Sequence, residues 1–495
     1  MSLPVLPWGV MTMTNRRPCP PAPGPLEAYA AAFDPVLGRL PQRRGFRDYL
    51  VGLLAPRDRN KTLTGLADTE PVVGAQHREA QRLQFFLSES SWDHEQVNRV
   101  RVRLLGEDPA TRPHAQGVLV IDDTGDRKDG PAMAHVARQY LGSVGKVDRG
   151  IVAVTSLWAD EGVYWPVEVV PYTPACRLAG GRSDPGFRTK PQLAVGLIAH
   201  AQAARIPFRA VVADCAYGDS GELVEELARA QVAWVLALKP SKGTWAPEDE
   251  AHSPVEAAQQ LAWGGPERPG AWTPVTRTFR DGRTEAWWAA DAALPAAGWG
   301  PDRRHRLVVV TTDPATLPAL TTWYLLTNLP RRRRAGGPAP ADLAEVVRLY
   351  GLRTWVEQGY KQVKQQLGWA DFQVRSDRAI RRHFVLVCCA FSFCWHATHG
   401  VADPLPPDQP PARQRVPEEP VFDPPPDPVA SQAAPAARAA ARGAHRPPPS
   451  AVDPRRDVAG RPAPGPRLAD PVAAAATLLA GVVDQPAAPA VAAGA

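Results

Sequence analysis

The sequence predicts an α/β protein built on a mixed sheet with helices on both faces. From residue 116 onward, short β-branched runs follow one another and then alternate with helical segments, in the order β-β-β-α-β-α-β. A meander followed by right-handed α/β crossovers is the layout of a mixed sheet. Hydrophobic residues make up 44% of the 495 residues and charged residues 22%. This is ordinary globular usage, so a coiled coil and a fully disordered chain are both excluded.

The chain before the sheet is predicted to be helical. Residues 1–25 are rich in proline and polar groups and predict a disordered leader. Residues 26–112 repeat apolar side chains at helical spacing, with breaks at Pro41, Pro56 and Pro71, and predict an all-α N-terminal domain. Its arginines and lysines either bind DNA phosphates or form the solvated faces of helices, and the second is the commoner role of any one of them.

The sheet region is predicted to be split by an insertion. Residues 116–240 carry strands at 117–121, 151–158, 163–170, 210–213 and 233–238, with helices at 192–203 and 220–230. Residues 241–340 are rich in tryptophan and proline and predict a β-rich inserted subdomain. Residues 341–400 complete the main domain with two helices, the first beginning near Asp342 as its N-cap. The last segment, 401–495, holds 22 prolines, 26 alanines and one aromatic residue, and predicts a disordered tail.

The net charge and the cysteines indicate which partners and which cellular compartment the protein could have. The formal charge is +6, and the pI is about 9.1, a balance that permits a polyanionic partner without requiring one. The six cysteines form no C-x-x-C pair, which favours buried thiols in a reducing compartment. The longest apolar run, 384–395, is well short of the roughly 20 residues that span a bilayer. We therefore expect a cytoplasmic protein with no membrane partner.

Three carboxylates are the candidates for chemistry. Asp123 follows the apolar run 118–121, and Asp214 follows the run 211–213, so each emerges at the carboxyl end of a strand. If those strands are neighbours, both acids lie on one edge of the sheet, where open α/β sheets bind ligands. The doublet Asp122-Asp123 leaves the first ligand open by spacing alone, and we select Asp123 because Thr124 follows it. The third candidate, Glu357, lies on the helix that begins near 342.

That helix has one strongly polar face. Tyr350, Arg353, Glu357 and Lys364 lie at offsets 0, 3, 7 and 14, a sector about 60° wide at about 100° per residue, and Lys361 extends it. An ordinary solvated face with charge pairs at i,i+4 explains the same pattern for an isolated helix. Three converging carboxylates, however, repel by roughly 4 kcal/mol per pair and need cations between them. All-oxygen ligands select Mg²⁺, or Mn²⁺, and two such ions would catalyse in-line attack on phosphorus.

These motifs resemble those of bacterial insertion-sequence transposases of the DDE class. The resemblance rests on Asp123-Thr124, on the run that begins at Asp214, and on the Tyr-Arg-Glu-Lys spacing of residues 350, 353, 357 and 364. It implies a ribonuclease-H-like catalytic domain that holds two Mg²⁺ ions on Asp123, Asp214 and Glu357. It also implies binding of double-stranded DNA at terminal inverted repeats, cleavage, and joining of the 3′-hydroxyl to target DNA by a homodimer assembled on DNA.

The predicted DNA contacts are cationic and aromatic. By the resemblance, Tyr350, Arg353 and Lys364 contact the DNA end near the cut, and Lys361 shares their face. The run Arg331, Arg332, Arg333 and Arg334 leads into the Glu357 helix and is expected to contact DNA as well. Two alternatives stay open. One is an inactive DNA-binding derivative, which a metal-dependent nick would exclude; the other is a ribonuclease-H-like nuclease, which cleaves without joining.

Overall fold

A computed structural model describes residues 17–243, 251–278, 283–293, 305–333 and 337–399. Most of the predicted leader, Arg334 and the whole predicted tail at 401–495 lie outside these ranges. The described residues include twelve α-helices: α1 Leu26–Ala31, α2 Leu40–Leu54, α3 Leu63–Leu66, α4 Arg78–Ser88, α5 His94–Glu107, α6 Lys190–Ala203, α7 Cys215–Gly218, α8 Gly221–Arg229, α9 Pro254–Gln259, α10 Leu343–Gly351, α11 Thr354–Gln365 and α12 Asp377–His399.

Within the described ranges, ten strands form one mixed sheet. They are β1 Val118–Arg127, β2 Ala137–Leu141, β3 Lys146–Ala159, β4 Tyr164–Pro171, β5 Ala210–Ala213, β6 Trp234–Ala237, β7 Thr273–Thr278, β8 Thr284–Ala292, β9 Arg306–Thr311 and β10 Thr322–Thr327. Their order is β2-β3-β1-β5-β6-β10-β9-β8-β7, and β4 pairs with β3. β1, β5 and β6 are parallel to one another, whereas β3 runs antiparallel to β1. The prediction of a mixed sheet with flanking helices is therefore confirmed.

The predicted insertion continues the same sheet. β10 pairs antiparallel with β6, and β9, β8 and β7 follow as a meander. β10 thus covers the edge of β6, which would otherwise expose unpaired backbone groups. All four strands lie within the segment 241–340 that the sequence predicted to be β-rich. They extend the central sheet, whereas the sequence predicted a subdomain of their own.

The segment 124–150, in which the sequence predicted no strand, contains the end of β1, the whole of β2 and the start of β3. β1 continues past its apolar run to Arg127, because β3 pairs with it along its whole length. β2 forms a hairpin with β3 in the register Ala137 to Gly150 and Leu141 to Lys146. The apolar signal of β2 is weak because Arg138 and Tyr140 are exposed and only its two end residues are buried.

The last described helix, α12, lies in the middle of the core. Its backbone carbonyl at Cys389 accepts a hydrogen bond from the Tyr29 hydroxyl of α1 at 3.0 Å. Trp395 donates through Nε1 to the Tyr164 carbonyl of β4 at 2.8 Å. Arg101 of α5 is fully buried and donates to the Ser392 hydroxyl at 3.1 Å. α12 therefore joins the N-terminal helices to the sheet. Among the described residues, no helix is both long and apolar enough to span a membrane.

Candidate active site

Asp122 and Asp214 occupy matching positions at the edge of the sheet where β5 ends. β1 and β5 are parallel with Ile121 paired to Ala213, so the next residue of each is an aspartate at the same level and on the same face. β5 ends here because Asp214 caps α7, and its Oδ1 accepts the Ala216 N–H at 3.0 Å. One carboxylate within β1 and one directly after β5 are thereby placed side by side.

Asp123 makes contacts on the opposite face of β1, because successive strand residues alternate. Its Oδ2 accepts hydrogen bonds from Lys190 Nζ at 3.1 Å and from the Tyr217 hydroxyl at 3.3 Å. Lys190 begins α6, and Tyr217 lies in the short helix that Asp214 caps. The structure thus ties Asp123 to Lys190 and Tyr217 and places Asp122 beside Asp214.

Two helices, rather than the single helix predicted, bring Glu357 to this edge. Asp342 is the N-cap of α10 as predicted, since its Oδ1 accepts the Glu345 N–H at 2.7 Å. Between α10 and α11 the turn tightens, and the Arg353 N–H donates to the Tyr350 carbonyl three residues back at 3.0 Å. The single-helix angle calculation therefore does not extend from Tyr350 across this junction to Glu357.

Arg353 joins the three acids. One terminal nitrogen, Nη2, lies 2.8 Å from Asp122 Oδ2 and 3.7 Å from Asp214 Oδ2. The other, Nη1, lies 3.0 Å from Glu357 Oε1. A planar guanidinium offers several donors in a fixed arrangement, which suits it to several carboxylates at once. Acids from β1, from the end of β5 and from α11 therefore converge on one cation.

Burial disfavours the charged form of Asp122 in this cluster. Desolvation is the main cause that raises the pKa of Asp122 to about 7. Arg353 opposes that rise, while the charges of Asp214 and Asp123 add to it. The pKa of Arg353 stays well above its ordinary value because the carboxylates favour its charged form against desolvation. The Arg353 Nε is buried and has no hydrogen-bond partner among the described residues. The cluster thus depends on a cation, and one donor of that cation is unused.

Lys364 extends the charged face. Its Nζ lies 2.8 Å from Asp126 Oδ1 and 3.3 Å from the Gly125 carbonyl oxygen, both on β1. Asp126 and Asp122 share one face of β1, since they are four residues apart in an alternating strand. Lys361 is exposed on the same helix. The structure therefore brings Arg353, Glu357 and Lys364 together over the acid-bearing face of the sheet.

Tyr350 lies beside the charged cluster, and the charges of Arg353, Asp214 and Asp122 act on its hydroxyl. Its side chain is buried, and its ring meets the Trp323 ring edge-on at 5.1 Å. Trp287 packs on Trp323 in turn, and Arg277 lies over both indole rings. Burial raises the pKa of Tyr350. Its visible role is to anchor the end of α10 on the β-meander.

The arginine run at 331–333 lies near the amino-terminal ends of the parallel strands, opposite to the acids. β10 is antiparallel to β6, with Thr327 beside Val235, so β10 ends where β6 begins. Arg331 forms an ion pair with Asp291, which also binds Arg306. The structure therefore does not bring Arg331, Arg332 and Arg333 together with the acids, contrary to what their position before the Glu357 helix suggested. Arg334 lies outside the described residues.

Several basic side chains of the N-terminal helices have internal roles. Arg47 is buried between Glu27, 2.7 Å away, and Asp34, 2.8 Å away. Lys61 donates to the carbonyls at the end of α2, including Ala55 at 2.6 Å. Arg101 binds the Val167 carbonyl at 2.7 Å. These cations hold the helices together, so neither a solvated face nor DNA binding describes their role.

Sequence reasoning missed the supports of the site. The Tyr360 hydroxyl of α11 bonds to Thr155 Oγ1 of β3, and Thr155 is paired with Asp122. This bond fixes α11 against the acid-bearing strand. Lys190 was also missed, although the run Thr189-Lys190-Pro191 carries the signature of a helix start with a capping box. The partner of each residue is far away in sequence, which is why no local signal found them.

The acids supply a donor set that suits a hard divalent ion. Carboxylate oxygens are the ligands that Mg²⁺ and Mn²⁺ prefer. As placed, however, the described residues form no ready-made group of three His, Cys, Asp or Glu around a metal position. Arg353 supplies the positive charge between the acids. The residues therefore fit a metal by their chemistry, provided that the guanidinium moves aside.

Comparison with known proteins adds three findings. Residues 32–292 match the profile of a family described as DDE superfamily endonuclease, a segment that includes Asp122 and Asp214 and ends before α11. The chain is 32% identical over 365 residues to a Microchaete diplosiphon protein named "Probable transposase for insertion sequence element IS701", covering 73% of this chain and 85% of that protein. A piggyBac transposase in a synaptic complex with hairpin DNA superposes at a TM-score of 0.39 and 14% identity, covering 73% and 66% of the two chains. That superposition is too loose to carry an argument.

Proposed function

Because the chain belongs to the DDE superfamily endonucleases, within the class of insertion-sequence transposases, we propose that it cuts DNA at a site formed by Asp122, Asp214 and Glu357. One observation carries the proposal. Acids from three distant segments meet at a single guanidinium, at 2.8, 3.7 and 3.0 Å. Repulsion among carboxylates disfavours such convergence unless cations bind there. A purely structural ion pair needs one acid, not three.

Asp122, rather than Asp123, is our proposed first acid. Asp122 is in register with Asp214 across two parallel strands, and it shares Arg353 with Glu357. Asp123 faces Lys190 and Tyr217. We infer that Asp123 positions the site, because its bond to Tyr217 fixes the short helix that Asp214 caps. The choice of Asp123 from Thr124 alone is replaced by this assignment.

Mg²⁺ is the proposed cofactor, with Mn²⁺ as a substitute. Asp122, Asp214 and Glu357 would hold the ions through their carboxylate oxygens. When bound, two such ions activate the attacking water or 3′-hydroxyl and stabilise the leaving oxygen. Arg353 then gives up its acids, and its unpaired Nε together with the freed nitrogens can bind a phosphodiester oxygen. Arg353 would thus neutralise the acids without DNA and bind DNA when the site is loaded.

The proposed DNA contacts follow the placement of the cations. Arg353 contacts the three acids, Lys364 contacts Asp126, and Lys361 is exposed on the same helix. All three cations are assigned to the DNA strand at the cut. Tyr350 is assigned a packing role under Trp323. The run 331–334 is not assigned to the cleaved end, because Arg331 to Arg333 lie at the opposite edge of the sheet.

We further propose the full reaction of an insertion-sequence transposase. The strand order β4-β3-β1-β5-β6, with β3 antiparallel and β5 and β6 parallel to β1, supports a ribonuclease-H-like catalytic layout. The substrates are the element's terminal inverted repeats and target DNA, and the freed 3′-hydroxyl is joined to the target. A homodimer assembled on the two ends would perform both cuts. Support for joining comes from the relative named as an insertion-sequence transposase.

Four single substitutions test the assignment of the acids. Asp122→Asn, Asp214→Asn and Glu357→Gln should each abolish nicking of a plasmid that carries the gene with its flanking DNA, assayed in Mg²⁺. Asp123→Asn is the matched control, since it makes the same chemical change one residue away. It should keep nicking within about tenfold, or about 1.4 kcal/mol, of the wild-type rate.

Binding of the same flanking DNA, measured in Ca²⁺, should persist in all four variants. Full nicking by Asp122→Asn together with loss by Asp123→Asn would reverse the assignment. Nicking by every variant would remove these acids from the catalytic site. Joined products, detected by sequencing new plasmid junctions, separate a transposase from a nuclease that only cleaves.

A further inference from the structure

The β2–β3 hairpin carries an uncovered face of unusual composition. Arg138 is paired directly with Arg149, and Tyr140 is paired directly with Val147. Directly paired residues of antiparallel strands share a face, so these four side chains form one patch, the hairpin face. Tyr140 is 47% exposed and Val147 54% exposed, and both arginines are exposed. None of them belongs to the catalytic cluster.

We propose that the hairpin face binds duplex DNA next to the bond that is cut. The proposal rests on the proposed function and adds a binding surface to it. Arg138 and Arg149 contact phosphates, while the neighbouring pair of Tyr140 and Val147 packs against the sugars. A two-stranded β-ribbon is narrow enough to enter the major groove of B-DNA.

The hairpin face has features that cost free energy in the isolated protein. Like charges directly opposite one another destabilise a strand pair. Neither Arg138 nor Arg149 has an ion-pair partner among the described residues; the nearby Asp148 lies 3.3 Å from Arg127 instead. The pair next to the arginines, Tyr140 and Val147, leaves an aromatic and an aliphatic side chain about half exposed to water. The phosphates of bound DNA would neutralise the two arginines, and its sugars would cover the two apolar side chains.

The opposite side of the hairpin is firmly packed. Leu141 is fully buried, and its atoms lie against Gly125 and Gly150. Ser143 donates from its hydroxyl to the Gly125 carbonyl. Gly150 has no room for a side chain because the Asp126 carbonyl oxygen is too close. The hairpin face is therefore presented by a fixed ribbon rather than by a loose loop.

Strand alternation relates the hairpin face to the acids. Arg149 and Thr155 are six residues apart on β3, so they belong to the same face of that strand. Thr155 is paired with Asp122 on β1. Six residues of strand span at most about 20 Å, which equals the rise of roughly six base pairs at 3.4 Å each. DNA held by the acids therefore passes within reach of the hairpin face.

Charge decides between two possible partners. A second copy of this chain could pair with the exposed edge of β2, but it would bring a second pair of facing arginines to the contact. DNA brings the opposite charge. Lys146, at the start of β3, is exposed and adds a further cation at the turn. We therefore assign the hairpin face to DNA.

The test compares two double variants of equal charge. Arg138→Gln with Arg149→Gln removes the cations of the hairpin face. Arg112→Gln with Arg229→Gln is the control, since both residues are exposed and precede β1 and β6, at the edge away from the acids. The probe is a duplex copied from the DNA that flanks the gene, and binding is measured in Ca²⁺ over a series of salt concentrations. The hairpin variant should lower the log–log salt slope by about 1.8, at about 0.9 per phosphate contact, and the control should leave it unchanged.

A second measurement locates the contact. A photo-crosslinking phenylalanine analogue in place of Tyr140 should crosslink to the duplex within about six base pairs of the cut. An unchanged salt slope, or crosslinks only to a second protein chain, would overturn the proposal. The two proposals fail separately: if Asp122→Asn nicks DNA normally while the slope falls, the catalytic assignment is wrong and the hairpin assignment stands. If Asp122→Asn loses nicking while the slope of the hairpin variant is unchanged, the catalytic assignment stands and the hairpin assignment is wrong.

Discussion

Replacing Arg353 by methionine should destabilise the protein in the absence of divalent ions and increase its response to them. The substitution keeps most of the side-chain length and removes the cation that lies against all three acids. Within the cluster, Asp122 and Arg353 are the most buried partners, 11% and 13% exposed at a separation of 2.8 Å. Breaking a buried ion pair by removing one partner costs about 3–5 kcal/mol.

The other two pairs add little to this loss. Glu357 is 48% exposed, and such a pair contributes about 1 kcal/mol or less. Asp214 is 30% exposed and lies further away, at 3.7 Å. Asp122, whose pKa burial already raises to about 7, can also take up a proton, which limits the cost at neutral pH. We therefore expect a loss of about 3 kcal/mol, at the lower end of the range for a broken buried pair.

Urea unfolding at pH 7, with and without Mg²⁺, measures the effect. Without Mg²⁺ the variant should lose about 3 kcal/mol of unfolding free energy. With Mg²⁺ at about 100 times its dissociation constant, binding to the folded state contributes about 2.7 kcal/mol. The variant should gain more than the wild type at equal Mg²⁺ concentration, because no guanidinium competes for the acids.

Arg348→Met is the matched control. Arg348 lies on α10 and pairs with Glu161 at 2.7 Å, where the side chains are 32% and 62% exposed. Its loss should cost about 1 kcal/mol or less and should not change the response to Mg²⁺. Equal stability of Arg353→Met and wild type without Mg²⁺, with equal gains on its addition, would refute the account of Arg353 as the cation of the empty cluster.

Two further predictions concern the short helix that Asp214 caps and a buried histidine of α12, His383, which bonds to the Tyr49 hydroxyl of α2. Gly218→Ala should cost about 1–3 kcal/mol of unfolding free energy and reduce nicking, because its Cβ would meet the Ala237 carbonyl oxygen and displace the helix that Asp214 caps. Gly196→Ala is the control, because this glycine lies on a helix with open space around it. In thermal and urea unfolding it should be neutral or stabilising by about 0.5–1 kcal/mol. Burial lowers the pKa of His383 from 6.5 to about 4, so the unfolded chain binds this proton first as the pH falls. Stability is complete above pH 6.5 and should fall by about 2 kcal/mol on going to pH 5, and His383→Gln should lack this component in urea titrations across that range.

Much of the site was predictable because its acids follow apolar runs. Asp214 ends a four-residue buried strand, and both features are local. The choice within the doublet was not local. β1 continues to Arg127 because it pairs with β3 up to that residue. The apolar run therefore does not show where the strand ends. Only the register with β5 shows that Asp122 is the acid on the same face as Asp214.

Strand direction explains why the arginine run lies away from the acids. The arginine run leads along the chain into α10, which suggested closeness to Glu357. β10 runs antiparallel to β6, however, so α10 must cross the sheet before α11 reaches the acids. Whether a strand is parallel or antiparallel to its neighbour depends on a partner that is far away in the chain. The sequence signals of β10 are the same for both directions.

The position of α12 has a consequence for synthesis of the chain. α1, α2 and α5 are made first, yet they pack on a helix that ends at His399. Contacts between such distant segments slow folding, and they leave the early apolar surfaces exposed until the late segment arrives. The helices that are synthesised early therefore stay without this packing partner until α12 has emerged from the ribosome. A truncated mRNA that lacks the codons for α12 would yield a chain that contains the N-terminal helices and the strands but lacks the helix on which they pack.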